Sequence, residues 1–178
     1  MKIVETRLHG LLLLRPPSFT DPRGSLTELY RSTLSGDTGL PTFVQDNLSH
    51  TKRHGLRGLH FQKSVPQAKL LQCLQGEIFD VVVDLRPGSP TFGEWESFTL
   101  SSDRPQQLFI PEGFAHGFQV LSSAATVFYK LSALYRPDDQ HGILWSDPDL
   151  AIPWPSREPL LSKKDRELPL LSELSFRK

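Results

Sequence analysis

Three side chains in apolar surroundings could move protons. His60 lies between Leu59 and Phe61, with Arg57 three residues earlier. Lys69 opens the apolar run Leu70, Leu71, Cys73, Leu74, and Tyr129 lies in the stretch TVFYKL. An imidazole titrates near neutrality and can take a proton at physiological pH. A phenol inside a polar cavity can donate a proton as well as a hydrogen bond. Each also has an ordinary role: a lone strand histidine is usually structural, a lone lysine a solvated charge, a strand tyrosine half-buried packing. The apolar flanks shift the balance, because adjacent strands of a barrel can point His60 and Lys69 into one lumen. Asp165, in LSKKD, is by itself a surface carboxylate. It gains meaning only if the tail packs across the barrel mouth and orients His60.

Other residues suit binding. Arg23, in a DPRG turn, could join Arg57 in a fork-like clamp for a diphosphate. Tyr135 precedes Arg136-Pro137 and could stack on a base, a contact worth roughly 1–3 kcal/mol. In FVQDN, Gln45 and Asn47 share one face and Asp46 takes the other, which is unusually polar for a central strand and equally suits an edge strand. PEGFAH, ending at His116, resembles the second motif of cupin barrels, where the histidine often binds a metal. A catalytic metal usually needs three protein ligands. The matching first motif would be His-x-His, and here it is LHFQ, so the ligand set is incomplete and no metal is expected. His116 is then either a structural histidine or a polar contact to substrate. The sequence has no Gly-rich phosphate loop, nucleophile elbow or CxxC pair.

The elements that must carry these groups are short. Fifteen prolines are spread along 178 residues, which leaves little room for long helices. Strands are expected at 11–14, 26–30, 43–47, 56–61, 69–74, 78–85, 95–100, 107–110, 117–121 and 126–131. The clearest is IFDVVVDL, where Phe79, Val81, Val83 and Leu85 share a face. Turn signals such as RPGSP and PEG recur at the spacing of a sandwich or barrel. Ser162, with Asp165 three residues on, can open a short helix that Pro169 closes. These signals predict one mainly β domain over residues 1–178, an antiparallel jelly roll or barrel with a short helical tail. Twenty basic and twenty acidic residues cancel, which argues against nucleic acid or an anionic membrane as partner. Cys73 is the only cysteine, and the longest apolar run, Leu11 to Leu14, is too short to span a bilayer. A cytoplasmic protein is expected.

The ordered set DPRG, FVQDN, LRGLHFQ, PQAKL, GEIFDVVVDLR, GSPTFGEW, IPEGFAHGF, FYK, ILWSDP and LSKKD closely resembles the dTDP-4-dehydrorhamnose 3,5-epimerases, metal-free cupin-fold enzymes that are typically homodimers. The resemblance implies inversion of C3 and C5 of a dTDP-linked 4-keto-6-deoxyglucose through an enolate, without a cofactor. By that resemblance His60 is the base, Asp165 its partner, Lys69 the group that stabilises the enolate oxygen, and Tyr129 the acid on the opposite face. Phe19, Arg23, Glu28, Gln45, Asp46, Asn47, Arg57, His116 and Lys164 match nucleotide-sugar contacts, and Tyr135 matches the aromatic that stacks on thymine. Two alternatives stand beside this one: an epimerase acting at one carbon only, and a non-catalytic sugar-nucleotide binder or metal-dependent cupin.

Overall fold

The computed structural model describes residues 1–33 and 39–175. Its strands are β1 (Lys2–Glu5), β2 (Leu12–Arg15), β3 (Ser18–Asp21), β4 (Gly24–Thr27), β5 (Gln45–Lys52), β6 (Leu56–Gln62) and β7 (Lys69–Gln75), followed by β8 (Glu77–Asp84), β9 (Trp95–Ser101), β10 (Gln107–Ile110), β11 (Phe114–Val120), β12 (Ala124–Leu131) and β13 (Gln140–Gly142). They form a six-stranded sheet in the order β1-β2-β10-β7-β12-β5, a five-stranded sheet in the order β13-β6-β11-β8-β9, and a separate hairpin β3-β4. Neighbouring strands pair antiparallel, so the expected jelly-roll architecture is the observed one.

Alternation within single strands builds the layers. In β8, Ile78 and Val82 enter a core between the sheets, with Leu71, Cys73, Leu108, Phe118 and Val127. Phe79, Val81, Val83 and Leu85 point the other way, into a second cluster with Ile143, Leu150 and Trp154. Both faces of the IFDVVVDL run are covered, one wholly apolar and the other carrying buried Asp80 and Asp84 beside Ile78 and Val82. Each fully buried aliphatic side chain there contributes roughly 1.5–3 kcal/mol. A third cluster, Leu14, Leu40, Ala68, Leu70 and Phe109, backs the six-stranded sheet.

The chain after β13 is the cover of the five-stranded sheet. Trp95 Nε1 donates to the Leu150 carbonyl at 2.8 Å, and Trp154 Nε1 to the Trp145 carbonyl at 2.7 Å. Buried Asp147 accepts from Asp149 N, Leu150 N and Leu171 N. Leu160 then bridges beside the start of β6, its N–H donating to His54 O at 2.9 Å while Leu56 N donates to Leu160 O at 3.0 Å. Three residues on, the short helix α1 (Lys163–Arg166) begins as expected, with the Ser162 hydroxyl accepting from Asp165 N. It ends well before Pro169.

Some expected strands move. The strand expected at 26–30 is β4 at Gly24–Thr27, paired in a hairpin with β3. The strand expected at 43–47 starts later and runs to Lys52, and the one expected at 117–121 starts at Phe114. β1, β3 and β13 carry no sequence signal. They are three or four residues long, and β3 is exposed throughout, so no periodicity marks it. Among the described residues no helix is long and apolar enough to cross a membrane.

Candidate active site

The two sheets are packed with apolar side chains at one end and part at the other. The open end is a cleft of about 770 Å³. It is polar because the inward face of each wall strand changes character along its length. In β7 the inward residues Leu71 and Cys73 are core, and the next inward position is Lys69. In β11, Phe118 and Val120 are core, and His116 follows. In β12, Val127 is core, then Tyr129 and Leu131 line the cleft.

His60 and His116 are Cα partners across β6 and β11. The close approach of these strands depends on Gly58, whose φ of +126° is unfavourable for other residues and whose Cβ would lie 2.5 Å from Gly117 Cα. His60 Nε2 donates to Asp165 Oδ1 at 2.6 Å. Burial alone would push the Asp165 carboxyl up. The His60 imidazole, the Ser162 hydroxyl and the Gly58 N–H outweigh it and hold the carboxyl below its usual range. A carboxylate only accepts, so Nε2 carries the hydrogen and Nδ1 of neutral His60 is left with the basic lone pair. The condition set on Asp165 from sequence, a tail packed at the barrel mouth, is met.

Tyr129 approaches from the other sheet, its Cα paired with Asn47 on β5 and Leu71 on β7. Lys69 also rises from that sheet and reaches across, Nζ donating to the His60 carbonyl at 3.4 Å. Burial pushes the Lys69 ammonium down to about 8, against the pull of Asp80. His116 Nε2 donates to Asp80 Oδ2 at 2.8 Å. Burial lowers His116 and raises Asp80, each shift opposed by the partner.

One side of the mouth is lined by hydrogen-bonded polar side chains. Arg57 Nε donates to Thr51 Oγ1 at 2.8 Å and Nη2 to His50 O at 3.4 Å, which holds the guanidinium at the cleft wall. Gln45 Nε2 donates to Asn47 Oδ1 at 3.0 Å, while Gln45 Oε1 accepts from Tyr135 N at 2.8 Å. Asp46 points to the outer face and pairs with Lys130 at 2.7 Å. β5 is the edge strand of its sheet, which explains its polarity. Tyr135, 43% exposed, donates through its hydroxyl to Gln140 Oε1 at 2.5 Å, and Lys164 Nζ donates to the same oxygen at 3.1 Å.

The cleft thus gathers His60, Lys69, Tyr129, Asp165, His116, Gln45, Asn47, Arg57, Tyr135 and Lys164, while Asp46 only borders it, its carboxylate turned to Lys130. It does not gather Phe19, Arg23 or Glu28. Arg23 sits at the tip of the β3-β4 hairpin, its side chain 89% exposed and paired with Asp21 at 2.6 Å. Phe19 is 63% exposed on the same hairpin, and Glu28 pairs with Arg31 at 3.2 Å. The Arg23–Arg57 clamp is therefore not formed within one chain, because the hairpin is a sheet of its own. Two residues escaped the sequence reading. Gln140 fixes Tyr135 and Lys164 from a three-residue strand with no pattern. Asp80 had a signal: it is a carboxylate on the Ile78–Val82 face of an otherwise apolar strand. Among the described residues no group of three or more His, Cys, Asp or Glu could hold a metal.

The cleft thus places an imidazole bonded to a carboxylate on one wall, a phenol on the facing wall and an ammonium reaching between them. Residues 5–173 match the family model described as dTDP-4-dehydrorhamnose 3,5-epimerase. This chain belongs to that family. Its members are isomerases, and the match spans both sheets and the tail. The Escherichia coli dTDP-4-dehydrorhamnose 3,5-epimerase is 46% identical over 178 residues, covering 98% of this chain and 96% of the relative. The Bacillus anthracis enzyme, solved with TDP and PPi bound, superposes with a TM-score of 0.92 at 48% identity, covering 96% of this chain and 99% of that one. The Legionella pneumophila enzyme, solved in complex with dTDP-4-keto-L-rhamnose, gives 0.94 at 41% identity, covering 98% and 94%.

Proposed function

We propose that this epimerase converts dTDP-4-dehydro-6-deoxyglucose to dTDP-4-dehydrorhamnose by inverting C3 and C5, the two carbons beside the C4 ketone. The observation that carries the reading is the placement of His60 and Tyr129 on opposite sheets with Lys69 reaching between them. His60 Nδ1 takes the proton from one carbon, and the electron pair moves onto the ketone oxygen. The Lys69 ammonium stabilises that enolate oxygen. The ketone re-forms as the carbon takes a proton from Tyr129 O–H on its opposite face, and solvent then accepts the His60 proton and returns one to the Tyr129 phenolate. Asp165 favours the imidazolium that forms at His60. No cofactor or metal enters the scheme.

The nucleotide binds toward Tyr135, which stacks on the base, with Arg57 and Lys164 near the phosphates. Phe19, Arg23 and Glu28 can serve the substrate only in another copy's cleft. The reading therefore includes a homodimer in which each hairpin reaches its partner's site. The exposed Phe19 and Leu26 of the hairpin and the exposed Leu48 of edge strand β5 support that contact. A cytoplasmic location accords with one buried cysteine and no disulfide.

Incubation with dTDP-4-keto-6-deoxyglucose in D2O, followed by proton NMR, tests the activity and counts the carbons. The expected result is deuterium at both C3 and C5 with rhamno-configured product. Exchange and inversion at one carbon only would make this chain a single-carbon epimerase. Absence of any exchange would remove the catalytic reading.

A further inference from the structure

The Asp80–His116 pair has no part in the scheme above. Asp80 is fully buried in β8, at 0% exposure. One carboxylate oxygen accepts from His116 Nε2 at 2.8 Å, and the other has no hydrogen-bond partner among the described residues. A buried carboxylate with an unpartnered oxygen is costly unless a cation compensates it. The cation at hand is Lys69, which crosses from the facing sheet.

We propose that Asp80 is a positioning residue for the reaction: its buried carboxylate is the counter-charge that keeps Lys69 an ammonium in front of the reacting ketone, and its bond to His116 holds the hydrogen of that imidazole on Nε2. The proposal rests on the epimerase reading for its consequence but not for its electrostatics. With Asp80 ionised, its His116 bond requires hydrogen on Nε2. Nδ1 of His116 is then an acceptor, suited to a sugar hydroxyl rather than to an anionic oxygen. The buried charges sum to zero, one carboxylate against one ammonium. The other titratable groups that line the cleft with Lys69 are Asp46 and His50 from β5, His60 and Arg57 from β6, His116 from β11, Tyr129 from β12, Tyr135, and Asp165 and Lys164 from the tail. Asp165 is engaged by His60 and Asp46 by Lys130, which leaves Asp80 as the anion acting on Lys69.

The sign follows from the charges. Burial already lowers Lys69 to about 8, and Asp80 opposes that fall. Removing the anion lets Lys69 drop further, so more of it is neutral at pH 7–8. Asp80→Asn is the conservative change, since the amide oxygen still accepts from His116 Nε2. Expected for Asp80→Asn is an alkaline limb of kcat moved down by about one pH unit or more, with near wild-type activity recovered on the acid side and KM changed less than about threefold. Loss of the same fraction at every pH, with the limb unmoved, would overturn the proposal and leave Asp80 a packing residue.

Carbon-13 NMR gives a readout that needs no turnover. The Lys69 Cε resonance, assigned with Lys69→Arg, should titrate near 8 in the wild type and lower in Asp80→Asn. The Asp80 Cγ shift in the wild type should be that of a carboxylate at pH 7. A protonated Asp80 there, or a Lys69 titration blind to Asp80→Asn, overturns the proposal without reference to activity. A wild type that shows both resonances as expected yet fails to exchange substrate deuterium removes the epimerase reading alone. The wild-type Asp80 shift also decides the matter if the variant does not fold.

Discussion

His60 Nε2 lies 2.6 Å from Asp165 Oδ1, although 105 residues separate them in the chain. The bond joins the five-stranded sheet to the first turn of a four-residue helix in the tail. The basic nitrogen of His60 is therefore set by a segment whose own placement depends on Trp95, Asp147, Trp154 and Leu160.

Asp165→Asn should lower kcat roughly 10²–10⁴-fold, because the amide cannot stabilise the imidazolium and can donate to Nε2, which would put the hydrogen on Nδ1. Deuterium exchange should fall in step with turnover. A variant that exchanges at the wild-type rate would show that the Asp165 charge does not matter to His60.

His60→Ala should abolish both exchange and inversion. Tyr129→Phe keeps the ring but loses the donor, so His60 can still remove a proton and return a solvent deuteron to the face it left. NMR in D2O should then show deuterium in unreacted substrate and little product, with inversion down roughly 10²–10⁴-fold. Normal inversion by Tyr129→Phe would assign the returning proton to water or another side chain.

Lys69 should cost the fold stability. Its folded-state pKa of about 8 lies below the value of about 10.4 expected for an unfolded chain. Below pH 8 both states are protonated and the penalty is present in full. It fades as pH rises from 8 to about 10.4, where the folded lysine is already neutral. The value of about 8 already includes the attraction to Asp80, so Lys69→Met should, net of losing that attraction, raise stability at pH 7 by about 1–3 kcal/mol while removing activity, with the gain shrinking above pH 8. Urea unfolding at pH 7 and pH 10 measures both. Equal or lower stability of the variant at pH 7 would contradict the burial cost.

Complementation tests the shared site. Arg23→Ala and His60→Ala should each be nearly inactive alone. Unfolded together in equal amounts and refolded, they should regain about a quarter of wild-type activity, since half the dimers are mixed and each mixed dimer has one complete site. No recovery, in a mixture shown to contain mixed dimers, would mean that Arg23 acts within its own subunit or not on the substrate at all.

The sequence by itself determined the class of fold and marked titratable residues that line the cleft. Frequent prolines and short alternating runs favour antiparallel strands, and Phe79, Val81, Val83 and Leu85 give the IFDVVVDL run an apolar face wherever it is placed. His60, Lys69 and Tyr129 stand out because a titratable group in an apolar strand must find water or a partner. The short helix at Ser162 was legible for a local reason, since a capping hydroxyl acts within three residues. Tertiary structure alone decided the rest, because contacts between distant segments leave no local pattern. It carried Asp165 to His60 through the tail's anchors. It separated Arg23 from Arg57 by making β3-β4 a sheet of its own. It turned Asp80, one charge in a run of valines, into the buried partner of His116. It also made Gln140 the common acceptor of Tyr135 and Lys164 through β13, a strand only three residues long and held by pairing with β6.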